Sequence, residues 1–327
     1  MNRKQLIFPL LRQICSEEGI KFIEEPTRGV FGVLLFSNRN FYIKDINFNL
    51  NNASSAALCT NKAATAFFLD TFGYNTPKFT FVAKGSKHVE DSIESGLEFA
   101  NSIGFPVVIK PNCLSQGRLV FKIFDSSQYM DQASRTLSAV KSFLLQEHCI
   151  GNDYRIVILD GKLLCAYQRI PLHVLGDGIN CITDLVRKKQ HEFEKIERDT
   201  IIDFNDERIF NCLKNQNMNY NFVPQKNEKI FLQDISNLSA GGETIELTDK
   251  IHESYVELAC HITHDFNLKL CGVDIITADI SKPLSNYYIL ELNSSPGLDN
   301  YAYTGKKQEE YVKSLYRKVL LSIKNDF

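Results

Sequence analysis

The stretch YYILELN, residues 287–293, predicts a β-strand with its polar side chains on one face. Side chains alternate along a strand, so Glu291 and Asn293 project to the same side. The preceding predicted strand, within GVDIIT (272–277), carries Asp274 among apolar residues, where an unpaired carboxylate is costly. Two carboxylates and an amide oxygen on neighbouring strands suit Mg²⁺ beside phosphate oxygens. Taken alone, the same residues equally suit polar caps at strand ends.

A second polar feature ends the apolar stretch FPVVIK, residues 105–110, which predicts a buried strand. Lys110 closes this strand, and the polar loop NCLSQGR follows it. The backbone N–H groups of Ser115, Gln116 and Gly117 are suited to cradling a phosphate that the Lys110 ammonium contacts. A plain hairpin with a solvent-directed lysine is the alternative. The sequence contains no GxxxxGK[ST] phosphate-binding loop.

The third feature is LLQEHCIGND, residues 144–153, in which an apolar strand runs into a turn. Glu147 and Asp153 lie six residues apart across Gly151. Such a pair of carboxylates suits the edge of a nucleoside base and its ribose. A solvent-exposed surface turn is the alternative interpretation.

Composition excludes several classes of partner. The chain has 327 residues, a formal net charge of -2 and a pI of about 6.4, which does not favour a nucleic-acid surface. No apolar run approaches the roughly 20 residues of a membrane span, and the basic, apolar start predicts a helix and not a signal peptide. Nine scattered cysteines without a CxxC pair predict neither disulfides nor a zinc site, and indicate a cytoplasmic protein.

Strand and helix signals alternate along the chain and predict an α+β architecture with mostly antiparallel sheets. Asp160-Gly161 between two alternating runs is a strong hairpin signal. The sequence also predicts helices over 1–25, 59–73 and 180–218, and strands over 29–36 and 40–46.

The three polar features occur in an order that resembles the ATP-grasp superfamily. More specific stretches are TNKAATAFFLDTFGYNTP (60–77), GFPVVIKP (104–111), GNDYRIVILDGKLLCAYQRIPLHVLGDG (151–178), NLSAGGETIELTD (237–249), GVDIITADIS (272–281) and ELNSSPGL (291–298). Together they resemble the ATP-grasp region of cyanophycin synthetases and, slightly less, that of bifunctional glutathione synthetases. The resemblance spans about 59–300.

The resemblance implies a fold and a division of the chain. Two α+β lobes would clasp ATP within an ATP-grasp domain over 59–327. A lid subdomain would span about 78–147, and residues 1–58 would form a small N-terminal α/β lead-in. A homodimer is expected by the same resemblance.

The resemblance also implies roles for individual residues. Lys62 and Lys110 would contact ATP phosphates, and the loop of Ser115, Gln116 and Gly117 would close over them. The remaining residues are Glu147, His148 and Ile150 as the adenine hinge, Asp153 on the ribose, Asp274, Glu291 and Asn293 on Mg²⁺ (or Mn²⁺), and Arg155 and Arg169 near the transferred phosphate or the substrate carboxylate. The loop is poorer in glycine than in relatives, which restricts close backbone approach to phosphate.

The implied activity is formation of an amide, as a peptide or isopeptide bond, by an ATP-dependent carboxylate–amine ligase through an acyl phosphate. The substrates would be amino acids or peptides. Two alternatives stay open: an ATP-binding regulator that no longer turns over, and a ligase that modifies a peptide or protein terminus. For the last, the charged segment 180–218 is a candidate docking surface, although a solvated helical face explains it as well.

Overall fold

The chain begins with a helix packed beside a small antiparallel sheet. A computed structural model describes residues 7–27, 30–37, 39–85, 92–115, 117–196, 198, 200–302 and 306–325. The first elements are α1 (Ile7–Glu17), β1 (Lys21–Glu24), β2 (Phe31–Leu35) and β3 (Asn40–Lys44), with the strands in the order β1-β2-β3. The predicted strands β2 and β3 are confirmed. The helix predicted over 1–25 is wrong at its end, because Gly19 adopts φ 65° and β1 follows.

Two helices replace the single helix predicted over 59–73. These are α2 (Ala53–Thr60) and α3 (Lys62–Thr71), separated by Asn61 in an extended conformation. The Asn61 side chain accepts a hydrogen bond from the Ala64 N–H and so caps α3. The break makes Lys62 the first residue of α3.

The next module is a four-stranded antiparallel sheet, which we call the lid sheet. Its elements are β4 (Phe79–Ala83), α4 (Ile93–Ile103), β5 (Val107–Pro111), β6 (Phe121–Ile123), α5 (Ser126–Ala139) and β7 (Ser142–Glu147). The strand order is β4-β7-β5-β6. One face packs against α4 and α5 in an apolar core that includes Val107, Ile109 and Leu145. The opposite face is therefore left for other contacts.

A five-stranded antiparallel sheet, which we call the central sheet, follows. It has the order β12-β9-β8-β13-β14, and its strands are β8 (Asn152–Leu159), β9 (Lys162–Ile170), β12 (Glu243–Glu246), β13 (Leu270–Thr277) and β14 (Tyr287–Asn293). The Asp160-Gly161 hairpin is confirmed, with both residues at positive φ. One face packs against α8 (Glu253–Asp265).

An insertion between β9 and β12 has its own apolar core. It contains β10 (His173–Leu175), α6 (Ile182–Lys195), α7 (Glu207–Asn215) and β11 (Lys229–Phe231). The segment predicted as helical over 180–218 is two helices, and among its described residues 200–205 are non-helical. A short 3₁₀ turn, Leu238–Ala240, leads into the loop at Gly241-Gly242.

The chain closes with α9 (Asp299–Ala302) and α10 (Lys306–Asn325). Residues of α10 share one apolar core with α1 and with part of the central sheet. The fold class α+β is confirmed, and every strand pair among the described residues is antiparallel. The division at residue 58 stays a prediction. No helix in the described ranges has the length and apolarity needed to cross a membrane.

Candidate active site

A cleft of about 840 Å³ lies between the lid sheet and the central sheet. It gathers most of the residues that the sequence singles out. Those that line it are Lys62, Lys110, Ser115, Gly117, Asp153, Arg155, Arg169, Asp274, Glu291 and Asn293. Residues more than 200 positions apart in the sequence, such as Lys62 and Glu291, therefore line the same cleft.

The floor of the cleft is an ion-pair face, which we define as Asp153, Arg155, Arg169 and Asp274 on three adjacent strands. Arg155 binds Asp274 through two bonds, Nε to Oδ1 at 2.6 Å and Nη2 to Oδ2 at 2.7 Å. Arg169 donates from Nη2 to Asp153 Oδ1 at 2.6 Å and lies 2.9 Å from Asp274 Oδ2 through Nη1. Fork-shaped guanidinium groups hold carboxylates at fixed angles, so this face is rigidly arranged.

Two β-bulges create this arrangement. The register between β8 and β9 shifts at Val157/Ile158, and the shift brings Asp153 opposite Arg169. The register between β13 and β14 shifts at Asp274/Ile275, and this second shift brings Asp274 opposite Glu291. A one-residue slip moves a side chain to the other face of a sheet, so without the bulges these pairs would be separated.

Burial and charge set the protonation of the two aspartates differently. Burial raises the pKa of Asp274, but Arg155 and Arg169 outweigh it and hold the pKa below its ordinary range. Asp274 therefore stays ionised. Burial raises the pKa of Asp153 to about 6, with Arg169 opposing and Asp274 adding to the rise.

Glu291 and Asn293 extend the polar floor along β14. The Asn293 Nδ2 donates to Asp274 Oδ2 at 3.3 Å, and Glu291 lies 3.7 Å from the Lys62 ammonium. Lys62 also donates to the Leu114 carbonyl at 2.7 Å, which ties the start of α3 to the loop after β5. Lys62 thus bridges the central sheet and the lid.

Lys110 approaches the cleft from the lid sheet. Within the described parts of the chain it has no hydrogen bond or ion pair. Burial lowers the pKa of its ammonium, and Glu291 only partly opposes the effect. A partly desolvated lysine without a fixed partner is suited to an incoming anion.

The insertion holds the loop after β5. Arg208 donates from Nη1 to the Gly117 carbonyl at 3.2 Å. Gly117 has φ 62°, and a Cβ there would lie 2.8 Å from the Asn237 amide nitrogen. The positive φ therefore favours glycine at this position, and a side chain there would displace the Asn237 amide. Gln116 lies outside the described residues.

A family model and several known proteins match the chain. The model described as the RimK-like ATP-grasp domain matches residues 231–311. Cyanophycin synthetase of Trichormus variabilis is 29% identical over 255 residues, which are 73% of this chain and 26% of that protein. The glutathione biosynthesis bifunctional protein of Mannheimia succiniciproducens is 28% identical over 297 residues, 84% of this chain and 37% of that protein.

The fold comparison agrees with these sequence matches. A crystal structure of a bifunctional glutathione synthetase from Pasteurella multocida superposes with a TM-score of 0.60 at 23% identity, covering 95% of this chain and 44% of that one. The chain has the ATP-grasp fold. The prediction of this fold and of these relatives is confirmed. The chain spans less than two fifths of the length of the two curated relatives quoted.

The predicted adenine hinge consists of three residues at the end of β7 and just after it. Glu147, His148 and Ile150 do not line the cleft in the described structure. The Glu147 carboxylate accepts a hydrogen bond from the Lys78 N–H at 3.2 Å, and the Ile150 side chain is 91% exposed. Burial lowers the pKa of His148 to about 4, so its ring is neutral at pH 7. A hinge role for these three residues stays a prediction, in which their backbone groups and not their side chains would contact adenine.

The donor set fits Mg²⁺ only together with phosphate oxygens. The described residues contain no group of three His, Cys, Asp or Glu side chains suited to a metal ion. Asp274 Oδ2 has three N–H partners, whereas Oδ1 has one from an arginine. Glu291 and the Asn293 carbonyl oxygen complete a set of hard oxygen donors. Mg²⁺ characteristically combines one or two carboxylates with nucleotide phosphates, so the residues fit.

Sequence reasoning missed two residues that shape the site. Asn237 and Arg208 come from the insertion and pack against the loop at Gly117. Asn237 opens the stretch NLSAGGETIELTD, which contributes to the resemblance, so a signal was present for it. Arg208 lies within a charged helical segment that carries no such signal.

Proposed function

We propose that the chain is an ATP-dependent carboxylate–amine ligase that forms an amide bond through an acyl phosphate. One observation carries the proposal. Lys62 and Lys110 approach from one side of a single cleft, and Asp274, Glu291 and Asn293 face them from the other. Cations opposite a metal-binding oxygen set suit the phosphates of a nucleotide.

The chain's own residues would act by positioning and by charge neutralisation. Lys62 and Lys110 bind phosphate oxygens, and Arg155 and Arg169 hold the floor of the cleft while their exposed edges face the substrate carboxylate. That carboxylate attacks the γ-phosphorus, and the bond to the β–γ bridging oxygen breaks, so that ADP leaves and an acyl phosphate forms. An amine then attacks the acyl carbon, phosphate leaves with the acyl-phosphate oxygen, and the nitrogen gives up a proton as the amide forms. Mg²⁺, held by Asp274, Glu291 and Asn293, would supply further charge neutralisation on the phosphates. Closure of the lid sheet excludes water from the acyl phosphate.

The finer parts of the proposal concern substrate and setting. We infer amino acid or peptide substrates, because relatives named for cyanophycin and glutathione synthesis match the chain. All nine cysteines are free thiols, five of them partly or fully exposed, which suits a reducing cytoplasm. We also propose that Mn²⁺ can take the place of Mg²⁺ and that the chain forms a homodimer.

The test is release of ADP and phosphate from MgATP across a panel of amino acids and short peptides. The wild-type chain is compared with Glu291→Gln, and Glu257→Gln on the exposed side of α8 is the matched control. Stimulation by one acid–amine pair, lost only in Glu291→Gln, supports the proposal and identifies the substrate class.

Two other outcomes correspond to the alternative functions. ATP binding without turnover for any pair favours a regulator or a ligase acting on a protein terminus. Release of ADP and phosphate on addition of a substrate protein then identifies the ligase, and its absence favours the regulator. No ATP binding by the folded chain contradicts a nucleotide-dependent function altogether.

A further inference from the structure

The turn over 237–242, at the end of the insertion, is one wall of the cleft. Its first three residues, Asn237, Leu238 and Ser239, line the cleft. The Gly242 N–H donates to the Asn237 carbonyl at 3.0 Å, and a Cβ at Gly242 would lie 2.9 Å from that same oxygen. Glycine at 242 therefore lets the backbone close tightly on the start of the turn.

A buried arginine from the middle of the insertion holds both ends of this turn. Arg198 is 6% exposed, and its Nη2 donates to the Leu238 carbonyl at 2.6 Å and to the Gly242 carbonyl at 2.8 Å. Its Nε donates to Thr200 Oγ1 at 3.2 Å, and its guanidinium carbon lies 4.4 Å from the centre of the Phe193 ring. Hydrogen bonds from a charged donor are stronger than neutral ones, so Arg198 fixes the turn against the core of the insertion.

The fixed turn sets the direction of the Asn237 side chain. Asn237 Oδ1 accepts hydrogen bonds from the Ser239 N–H at 3.0 Å and from the Ser239 hydroxyl at 2.8 Å. A backbone N–H can only donate, so these contacts identify the amide oxygen and place the amide nitrogen on the other arm. That nitrogen lies against Gly117, 2.8 Å from the position of a Cβ there. Asn237 therefore connects the turn to the loop after β5.

The loop after β5 depends on contacts from outside it. Its own hydrogen bonds are long, at 3.3 Å from the Val120 N–H to the Gly117 carbonyl and at 3.3 Å from the Arg118 N–H to the Ser115 carbonyl. The Gly117 carbonyl also accepts the bond from Arg208. Two groups of the insertion therefore meet the loop at one glycine.

We propose that Arg198 is a positioning residue for the phosphate-binding loop: it fixes the turn 237–242, and the turn holds Asn237 against Gly117. The inference rests on the proposed function, since it assigns this loop to the phosphates of a nucleotide. Arg198 acts through Asn237 and not by contact with the nucleotide. A loop that is held in place before binding loses less conformational entropy when phosphate binds, so Arg198 strengthens ATP binding.

The first measurement is hydrogen exchange of the Arg118 and Val120 amides without nucleotide, by mass spectrometry of fragments that span 113–121. Arg198→Met should speed this exchange about tenfold, because loss of the charge-assisted bonds frees the turn. Asn237→Ala should do the same. The double variant should add little to either single change, because both act on one chain of contacts.

Two controls and a conservative variant separate positioning from general stability. Arg187→Met removes an exposed arginine of α6 that pairs with Asp184, and it should leave loop exchange at the wild-type rate. The Leu185 amide, bonded to the Cys181 carbonyl at the start of α6, reports on the insertion itself and should not change in Arg198→Met. Arg198→Lys should speed loop exchange less than Arg198→Met, and it serves as the test variant if Arg198→Met does not fold.

The second measurement is calorimetric titration of MgATP. Arg198→Met should bind ATP about tenfold more weakly than the wild-type chain, and Arg187→Met should bind it equally well. The role of Arg198 is overturned, and the ligase proposal left standing, by any of four results in the folded variant: unchanged loop exchange, additive effects of Arg198→Met and Asn237→Ala, a parallel rise in exchange at Leu185, or unchanged ATP affinity.

Failure of the proposed function gives a different pattern. A folded wild-type chain that binds no ATP overturns the ligase proposal and the assignment of the loop to phosphate. Hydrogen exchange is measured without nucleotide, so it still decides whether Arg198 holds the loop.

Discussion

The ion-pair face differs from the lid face, which we define as Lys110 and Gln146 of the lid sheet, in how its polar groups are paired. On the ion-pair face, each of the four charged groups has a partner within 3.0 Å. On the lid face, Lys110 and Gln146 are removed from water, and neither has a partner within the described residues. One face is complete without a ligand, and the other requires a ligand to complete it.

This difference indicates how stability and function are divided. Paired buried charges are destabilising to break but do not need a ligand. Unpaired buried polar groups reduce stability in the free protein, and that cost is relieved only by a bound molecule. Substitutions on the ion-pair face should therefore lower stability, and those on the lid face should lower binding alone.

The largest effect is expected for Asp274→Asn on the ion-pair face. Removal of this charge leaves Arg155 and Arg169 without their shared partner. The free energy of unfolding should fall by about 3–5 kcal/mol, measured by urea denaturation, as for other broken buried ion pairs. ATP-dependent turnover should also be lost.

Glu291→Gln is the matched comparison on the next strand. Its side chain is 32% exposed, and its closest cation, Lys62, lies 3.7 Å away. Its unfolding free energy should change by less than about 1 kcal/mol, because a partly exposed pair at this separation, with no hydrogen bond between its members, contributes little. Equal stability losses in the two variants would show that the ion-pair face is not the distinct structural unit described above.

Lys110→Met tests the lid face. Loss of the ammonium should lower kcat/KM for ATP by about 100-fold or more, as for removal of a group that stabilises developing charge. Stability should stay the same or rise, since burial already disfavours the charged form of Lys110. Steady-state kinetics and thermal melting together check this, and a marked loss of stability would contradict the assignment of Lys110 to ligand binding.

The pH dependence of stability tests the protonation of Asp153. Burial raises its pKa to about 6, above the ordinary value near 3.8. Between these values the folded state holds the proton more often than the unfolded state, so stability falls as pH rises from about 4 to about 6. The melting temperature of the wild-type chain relative to Asp153→Asn should fall over this range and level off above it. A difference that rises or stays constant would show that Arg169 keeps Asp153 fully ionised.

The smallest effect is expected where the lid meets the insertion at the surface. Arg135 on α5 binds both carboxylate oxygens of Glu207 on α7, at 2.7 and 2.6 Å, but both side chains are more than half exposed. Arg135→Ala should lower stability by about 0.2–1 kcal/mol, and the loss should shrink in 1 M salt. Urea denaturation at two salt concentrations checks this, and a larger, salt-independent loss would show a tighter junction than the contacts indicate.

Sequence patterns predicted the strands and the residue types of the site, but not how they meet. The alternation in YYILELN put Glu291 and Asn293 on one face, and β14 confirms the strand. The meeting of Asp274 with Glu291 depends on a bulge at Leu290, and that of Asp153 with Arg169 on a bulge in β9. Bulge positions depend on the packing of whole sheets, which periodicity does not report.

Two further differences have local causes. The break between α2 and α3 follows from the Asn61 cap, which a continuous helical pattern concealed. Glu147 was predicted at the edge of the base, but its carboxylate accepts a hydrogen bond from the Lys78 N–H on the other face of the lid sheet, a contact that the sequence pattern does not report.

The most direct test of the account is calorimetric titration of ATP into the wild-type chain and Glu291→Gln, with and without Mg²⁺. The account predicts that Mg²⁺ strengthens ATP binding to the wild-type chain by tenfold or more and has little effect on the variant. Equal strengthening in both proteins, or no ATP binding by the folded wild-type chain, would contradict it.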